Sequence, residues 1–309
     1  MSSDLKGIVI SGPTAVGKTD LSIKIAKLLN SEIISADSSQ IYKHMNIGTA
    51  KITFEEMAGI RHHMLDIIEP GEDFSVGDFE IHVNNILKEK EKKGENIVVT
   101  GGTGLYIRAV TDGFSKLPSK DEKIRKSLSE KSTEELSEIL KGMDYESFEN
   151  IDLKNRMRVI RAIEVCILTN GKFSELKTEN IKGNSYKFLK IFLTRDREEL
   201  YERINKRVDI MISRGFEKEA SEIYEKYKEK RHKIVSIGYR EFFKYFNGEL
   251  SLEETVEEIK KESRRYAKRQ LTWFRKEKGY ITYNLSEMTE EETVMNIMEM
   301  FQGNIECLH

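Results

Sequence analysis

Cysteine, proline, net charge and long apolar runs are all scarce in this chain, and each scarcity removes a class of protein. The two cysteines, Cys166 and Cys307, have no partner at metal-ligand spacing; this excludes a disulfide framework or zinc site and suggests reduced thiols in a cytosolic protein. The three prolines, Pro13, Pro70 and Pro118, leave long stretches rich in Glu, Lys, Leu and Ile unbroken, so helix should dominate after the first third. Lys and Arg number 51 against 53 Asp and Glu, so any nucleic-acid surface must come from local clustering rather than overall charge. The apolar run at residues 7–10 is too short for a signal segment or a membrane span, and no later run spans either. A soluble, cytoplasmic chain is expected, and 309 residues suffice for one large domain or a core with a smaller partner.

What is present alternates. Residues 7–10, 33–34 and 97–99 are short β-type runs, each ending in turn residues and flanked by helical patterns. Runs this continuously apolar belong to βαβ units and a buried parallel sheet, an α/β fold whose ligands gather at the carboxyl ends of the strands. A fourth run at residues 188–193 is placed to rejoin the sheet. The expected organisation is therefore a core of residues 1–114 and 187–309 with a helical insertion at 115–186. The charge run at residues 253–261 reads as a solvated helical face.

Gly12, Pro13, Thr14, Ala15, Val16, Gly17, Lys18 and Thr19 match G-x-x-x-x-G-K-[ST] between the first strand and a helical pattern. Glycines let backbone N–H groups converge on a phosphate, the helix aims its positive end at it, Lys18 adds charge, and the Thr19 hydroxyl suits Mg²⁺. The strand that should end in a metal-binding acid runs instead into Thr-Gly-Gly-Thr-Gly at residues 100–104, which argues against nucleotide hydrolysis. The nearest acidic substitute is Asp37, after the second strand, although an aspartate there also serves as a plain turn or N-cap residue. Arg203 and Arg207 lie one helical turn apart after the fourth strand, a spacing equally compatible with a solvated helix.

Between residues 261 and 278 the bases Lys261, Arg264, Arg265, Lys268, Arg269, Arg275, Lys276 and Lys278 face only Glu262 and Glu277. On a helix Arg264, Lys268 and Arg275 share one broad face, while Ser263, Ala267, Leu271 and Phe274 line another that packs on the core. That arrangement suits a phosphate backbone. Tyr266 and Trp273 fit either base stacking or a buried anchor.

Four ordered stretches carry a family resemblance: residues 12–19; Ser35-Ala-Asp37-Ser-Ser-Gln40-Ile-Tyr42; Ile47-Gly-Thr-Ala-Lys51; and Gly101-Gly-Thr-Gly-Leu-Tyr106. Arg158 to Glu164, Ile237 to Arg240 and Lys268 to Arg275 continue it to about residue 278. Together they resemble the tRNA dimethylallyltransferases, also called tRNA isopentenyltransferases. The tail after Gly279 stays unplaced.

The resemblance implies a P-loop core with an inserted helical domain, and transfer of a dimethylallyl group from dimethylallyl diphosphate to N6 of the adenosine just 3′ of the anticodon. Diphosphate would occupy residues 12–19, with Mg²⁺ on Thr19. Asp37 would take the amine proton, Arg207 would stand on the phosphate side, and Thr103 would face the target nucleotide. Ser38, Ser39 and Gln40, with Arg125, Met157, Arg158, Arg161, Gly238, Tyr239, Arg240, Lys268, Arg269, Gln270, Thr272, Trp273 and Arg275, would contact the tRNA anticodon stem-loop, the target base being extruded into a pocket. The adjacent His62 and His63 match a family signature and read as structural. A proline usual after Ala50-Lys51 is missing, and Lys43-His44 stands where arginine is frequent; both bear on substrate preference. A monomer working without a membrane is expected. Three rivals stay open: a small-molecule kinase, an enzyme prenylating free adenine nucleotides, and an RNA-binding module with a vestigial phosphate loop.

Overall fold

In a computed structural model of the chain, residues 5–113, 117–178 and 186–303 are described. Contact density separates two units, Met1–Thr111 with Ser185–His309, and Asp112–Asn184. Cys307 lies outside the described residues, as do Ser115 at the expected domain boundary and the end of the tail.

The larger unit is built on one six-stranded sheet: β1 (Leu5–Ser11), β2 (Glu32–Ser35), β3 (His62–His63), β4 (Ile97–Gly101), β5 (Lys187–Thr194) and β6 (Tyr280–Asn284), in the order β3-β2-β4-β1-β5-β6. Every pairing is parallel. The four apolar runs of the sequence become β1, β2, β4 and β5, with Ile8, Val9, Ile10, Ile33, Ile34 and Val98 fully buried, as strands covered on both faces require. Parallel strands send the segments after β1, β2, β4 and β5 out at one edge, so the phosphate loop, Asp37, Thr103 and Arg195 share that edge.

Helices α1 (Lys18–Leu28), α2 (Val76–Lys93) and α3 (Gly104–Thr111) belong to this unit. The second unit holds α4 (Glu122–Ser129), α5 (Thr133–Met143), α6 (Tyr145–Asn150), α7 (Arg156–Thr169) and α8 (Phe173–Thr178). The larger unit resumes with α9 (Arg197–Ser213), α10 (Phe216–Lys226), α11 (Tyr239–Phe246), α12 (Leu252–Phe274) and α13 (Glu290–Phe301). One core joins the sheet to α1 and α13 through Leu21, Ile25, Ile297 and Phe301; a second gathers Phe216, Tyr239, Phe242 and Ile259 from α10, α11 and α12.

The tail that the sequence left unplaced is part of the fold. β6 pairs with β5 from Lys190↔Tyr280 to Thr194↔Asn284, and α13 starts in a Thr289–Glu292 capping box that satisfies two orphan helix N-terminal donors. His62 and His63 form β3, and His63 Nε2 lies 2.5 Å from Glu32 Oε2, in keeping with a structural role. Among the described residues no helix is long and apolar enough to cross a membrane.

Candidate active site

The phosphate loop is anchored from below and open above. Val16 is fully buried in the main core, Arg195 Nε donates to Val16 O at 2.9 Å, and Arg203 Nε donates to Ala15 O at 2.9 Å. Arg203 is thus not merely a solvated member of a charged helix. Gly17 caps α1 at a φ of 116°, with no side-chain cap on the first turn. The helix therefore presents uncapped N–H groups and the positive end of its dipole, the feature that binds anions. Lys18 Nζ donates to Gly12 O at 2.9 Å and Pro13 O at 2.7 Å. Burial brings its ammonium down to about 7, the nearby Arg207 charge adding to the shift and Asp37 opposing it.

A cleft of about 790 Å³ opens over this loop. Lys18 and Thr19 form one wall, residues 37–40 a second, Arg203 and Arg207 of α9 a third, and Tyr266, Arg269 and Gln270 of α12 a fourth. The structure thus brings Asp37 and Arg207 together with the phosphate loop from stretches far apart in sequence. Burial lowers the Arg207 guanidinium while the Asp37 charge opposes the fall. Arg207 remains a cation, since its ordinary value is far above neutrality. Asp37 Oδ1 accepts the Ser39 N–H at 2.8 Å, which turns the chain into Ser38 and Gln40 along the same wall.

Thr103 stands just behind that wall. Its Oγ1 accepts the Ser38 N–H at 3.0 Å and donates to Ser38 Oγ at 3.3 Å, while its own N–H donates to Ala36 O at 3.1 Å. It holds both neighbours of Asp37. Gln40 is similarly occupied: its Oε1 accepts from Ser35 Oγ at 3.1 Å, and its Nε2 donates to Thr49 O and Ala50 O at 3.4 and 3.3 Å.

α12 carries out the split foreseen for the basic stretch, with refinements. Ala267 and Phe274 are buried and Leu271 half-buried, whereas Arg265, Lys268, Arg269 and Thr272 are exposed. Arg275 is the C-cap, also exposed. Arg264 differs from its expected companions: it is half-buried and donates to Asn205 Oδ1 at 2.5 Å. Tyr266 lines the cleft with Arg269 stacked 5.6 Å from its ring; burial, then the Asp37 charge, push its phenol up to about 12, so it stays protonated. Trp273 is an anchor rather than a free stacking platform. Its indole lies against Gly104, where any side chain would overlap it, under Arg108 at 5.3 Å.

Two residues that the family resemblance directs toward RNA are bonded to groups of the protein itself. Tyr239 has no exposed surface and donates to Glu219 Oε1 at 2.5 Å. Gln270 is 5 % exposed, and both ends of its amide are bonded to backbone. Gly238, at a φ of 95°, sits against the Phe216 ring, while Arg240 is half-exposed and paired with Glu241 and with Glu262 at 2.8 Å.

In the second unit Glu164 is fully buried and binds Arg125 Nε at 2.8 Å and Arg161 Nη1 at 2.6 Å. Met157 is 64 % exposed and Arg158 is exposed. Glu219 carried no sequence signal as an organising acid, because its partners Asn46, Ile47, Gly48 and Tyr239 are distant in the chain, whereas Glu164 joins one near partner, Arg161, to a distant one, Arg125.

A phosphate loop at the edge of a parallel sheet, facing a carboxylate and half-buried cations across a cleft, defines a P-loop-like group-transfer protein. The sequence model of the family described as IPP transferase matches residues 40–277. The chain belongs to this family, that of the bacterial tRNA dimethylallyltransferases. It is 50 % identical over 296 residues to the tRNA dimethylallyltransferase of Fusobacterium nucleatum, covering 96 % of this chain and 97 % of that one. It is similar in structure to the full-length tRNA isopentenylpyrophosphate transferase of Bacillus halodurans, with a TM-score of 0.73 and 39 % identity over 96 % of both chains. A eukaryotic dimethylallyltransferase acting on tRNA matches with a TM-score of 0.86 and 26 % identity, over 98 % of this chain and 81 % of that one.

Proposed function

We infer that this chain transfers a dimethylallyl group from dimethylallyl diphosphate to the N6 amine of the adenosine just 3′ of a tRNA anticodon, releasing diphosphate. The observation that carries the reading is the sharing of one cleft by the phosphate loop, Arg207 and Asp37. The adenine N6 lone pair is delocalised into the ring, so the amine attacks only weakly unless a base takes its proton. As the C–N bond forms, the allylic C–O bond breaks, its electrons leave with diphosphate, and the N6 proton passes to Asp37. Lys18, Arg207 and the uncapped first turn of α1 meet the charge that develops on the leaving group.

Magnesium fits the residues present. Among the described residues no cluster of three His, Cys, Asp or Glu side chains forms a metal cage, but Mg²⁺ commonly takes few protein oxygens and completes its shell with phosphates and water. Thr19, exposed at the cleft, is the residue that would hold it. The ion would supply positive charge to the diphosphate oxygens.

The acceptor is RNA in this reading, with the exposed Lys268, Arg269, Thr272 and Arg275 on one side and Arg125, Met157, Arg158 and Arg161 of the inserted domain, residues 115–186, as further contacts. Thr103 acts through Ser38 and Ala36, and Arg240 contributes its exposed part. Gly238 and Trp273 shape the surface from beneath. The enzyme works as a monomer in the cytoplasm.

The test is to incubate the protein with radiolabelled dimethylallyl diphosphate, Mg²⁺ and an unmodified tRNA carrying adenosines after its anticodon, and to count label in RNA. Label that disappears in Asp37→Ala, with tRNA binding retained, supports the reading. Label in free adenine nucleotides alone, or phosphoryl transfer from ATP, would replace it with one of the rival activities.

A further inference from the structure

Gln270, on α12, lines the cleft and is 5 % exposed. Its Oε1 accepts the Thr14 N–H of the phosphate loop at 2.9 Å, and its Nε2 donates to Gly102 O, in the turn after β4, at 3.0 Å. A Cβ at Gly102 would overlap the Gln270 amide nitrogen and so could be accepted only if that amide moved off its bond. That turn is itself locked to the Asp37 segment: Ala36 N–H donates to Thr100 O at 2.7 Å, Thr103 N–H donates to Ala36 O, Ser38 N–H donates to Thr103 Oγ1, and a Cβ on Gly101 would overlap the Ala36 backbone. One buried amide therefore links the loop that would hold the diphosphate to the segment that carries the base.

We propose that Gln270 is a positioning residue that sets the separation between the phosphate loop and Asp37, and so aligns the allylic carbon with the attacking amine. This rests on the function inferred above. Glutamine suits the task because one planar group offers an acceptor at one end and a donor at the other. Asn is one methylene shorter, and Glu loses the donor when ionised. Displacement at carbon needs the reacting atoms about 3 Å apart, and a shift of ~1 Å lowers rate on the order of 100-fold.

Two variants and two readouts test the proposal. Gln270→Ala should lose about 100-fold in kcat with KM for dimethylallyl diphosphate and tRNA within about threefold, because each subsite survives and only their spacing is lost. In Gln270→Glu the carboxyl replaces the amide beside a carbonyl oxygen; once protonated it again donates to Gly102 O and accepts from Thr14. Tyr266, the titratable neighbour of this side chain, stays neutral throughout the range. Asp37, Lys18 and Arg207 face the same cleft and are common to both proteins. The ratio of variant to parent kcat should therefore rise as pH falls for Gln270→Glu and stay flat for Gln270→Ala.

Amide hydrogen exchange reads the link without substrate. The Thr14 amide should be protected in the parent protein and exchange at least tenfold faster in Gln270→Ala, under conditions where the unfolding midpoint of both proteins keeps them native during labelling. Equal exchange in both proteins overturns the link, as does a kcat within twofold of the parent; a loss confined to KM assigns Gln270 to binding instead. Absence of prenyl transfer by the parent protein itself would remove the inferred function, and the exchange rates would then decide by themselves whether the link exists.

Discussion

Tyr239 is tied to Glu219 in the larger unit: the phenol donates to Glu219 Oε1 at 2.5 Å. The same carboxylate accepts the N–H groups of Asn46, Ile47 and Gly48 at 2.9, 2.8 and 2.9 Å. Three consecutive backbone donors and one phenol thus converge on one acid. Burial, then the Glu219 charge, raise the Tyr239 phenol far above its ordinary range, so it remains a donor. The segment so held supplies Gly48, Thr49 and Ala50 to the cleft wall, where Thr49 O meets Gln40 and Arg207.

Removing the acid should release the wall. Glu219→Ala leaves three backbone donors without their partner and should cost about 3 kcal/mol of stability, against about 1.5 kcal/mol for Tyr239→Phe. Urea unfolding followed by far-UV circular dichroism gives both numbers. Equal, near-zero costs would mean water replaces the carboxylate and that the contact is dispensable.

Gly48 should tolerate no side chain. A Cβ would overlap the rings of both Phe216 and Tyr239, and those rings are fully buried in an edge-to-face pair 5.1 Å apart. Overpacking of this kind costs about 1–3 kcal/mol. Thermal denaturation of Gly48→Ala checks it; an unchanged midpoint would show that the rings yield freely.

The second unit should lose stability in acid through Glu164. Burial opposes its ionisation, but hydrogen bonds from Arg125, Arg161 and the Asp121 N–H outweigh it and hold the carboxyl at about 2 against an ordinary 4.5. A folded-state value below the unfolded one means that the stabilisation is full above about 4.5 and is lost as pH falls toward 2. Breaking such a buried arrangement costs about 3 kcal/mol. Glu164→Gln should be less stable at neutral pH and show a flatter decline over that window. Chemical denaturation at a series of pH values from about 6 to about 2.5 measures both; parallel curves for the two proteins would sink the assignment.

The exposed bases and the half-buried Trp273 at the end of α12 should separate by phenotype. Lys268→Ala, Arg269→Ala and Arg275→Ala should each weaken tRNA binding and reduce the slope of log affinity against log salt by about 0.7–0.9, with little change in stability. Trp273→Ala, which empties the space against Gly104 and Arg108, should instead cost about 3 kcal/mol of folding free energy. Filter binding at several salt concentrations, paired with thermal melts, distinguishes the two classes. A salt slope unaltered in all three basic variants would place the RNA elsewhere.

Much of the fold was legible because its signals are local. The central strands are apolar over consecutive positions, and the phosphate loop has its glycines, lysine and threonine within eight residues. β3 and β6 were missed: β3 is two residues long, and only Tyr283 in β6 is buried, so neither makes an apolar run. The Thr289–Glu292 capping box, a signal present in the sequence but not read there, could have marked the start of α13. The basic stretch was readable as amphipathic, but nothing in its pattern separated Arg264, turned toward Asn205, from the exposed Lys268.

By itself, then, the sequence determined a parallel α/β core, a phosphate loop with a carboxylate at the next strand end, and a basic helix, because helix period, strand continuity and loop chemistry depend on neighbours a few residues away. Only the tertiary structure decided that Gln270 joins Thr14 to Gly102, that Glu219 gathers Asn46, Ile47, Gly48 and Tyr239, and that Arg207 faces Asp37. Those partners lie far apart along the chain, and periodicity carries no information about which polar group meets which once the sheet has closed around them. A buried amide or carboxylate is costly unless every bond it needs is met, and packing from distant elements, rather than local pattern, supplied those bonds.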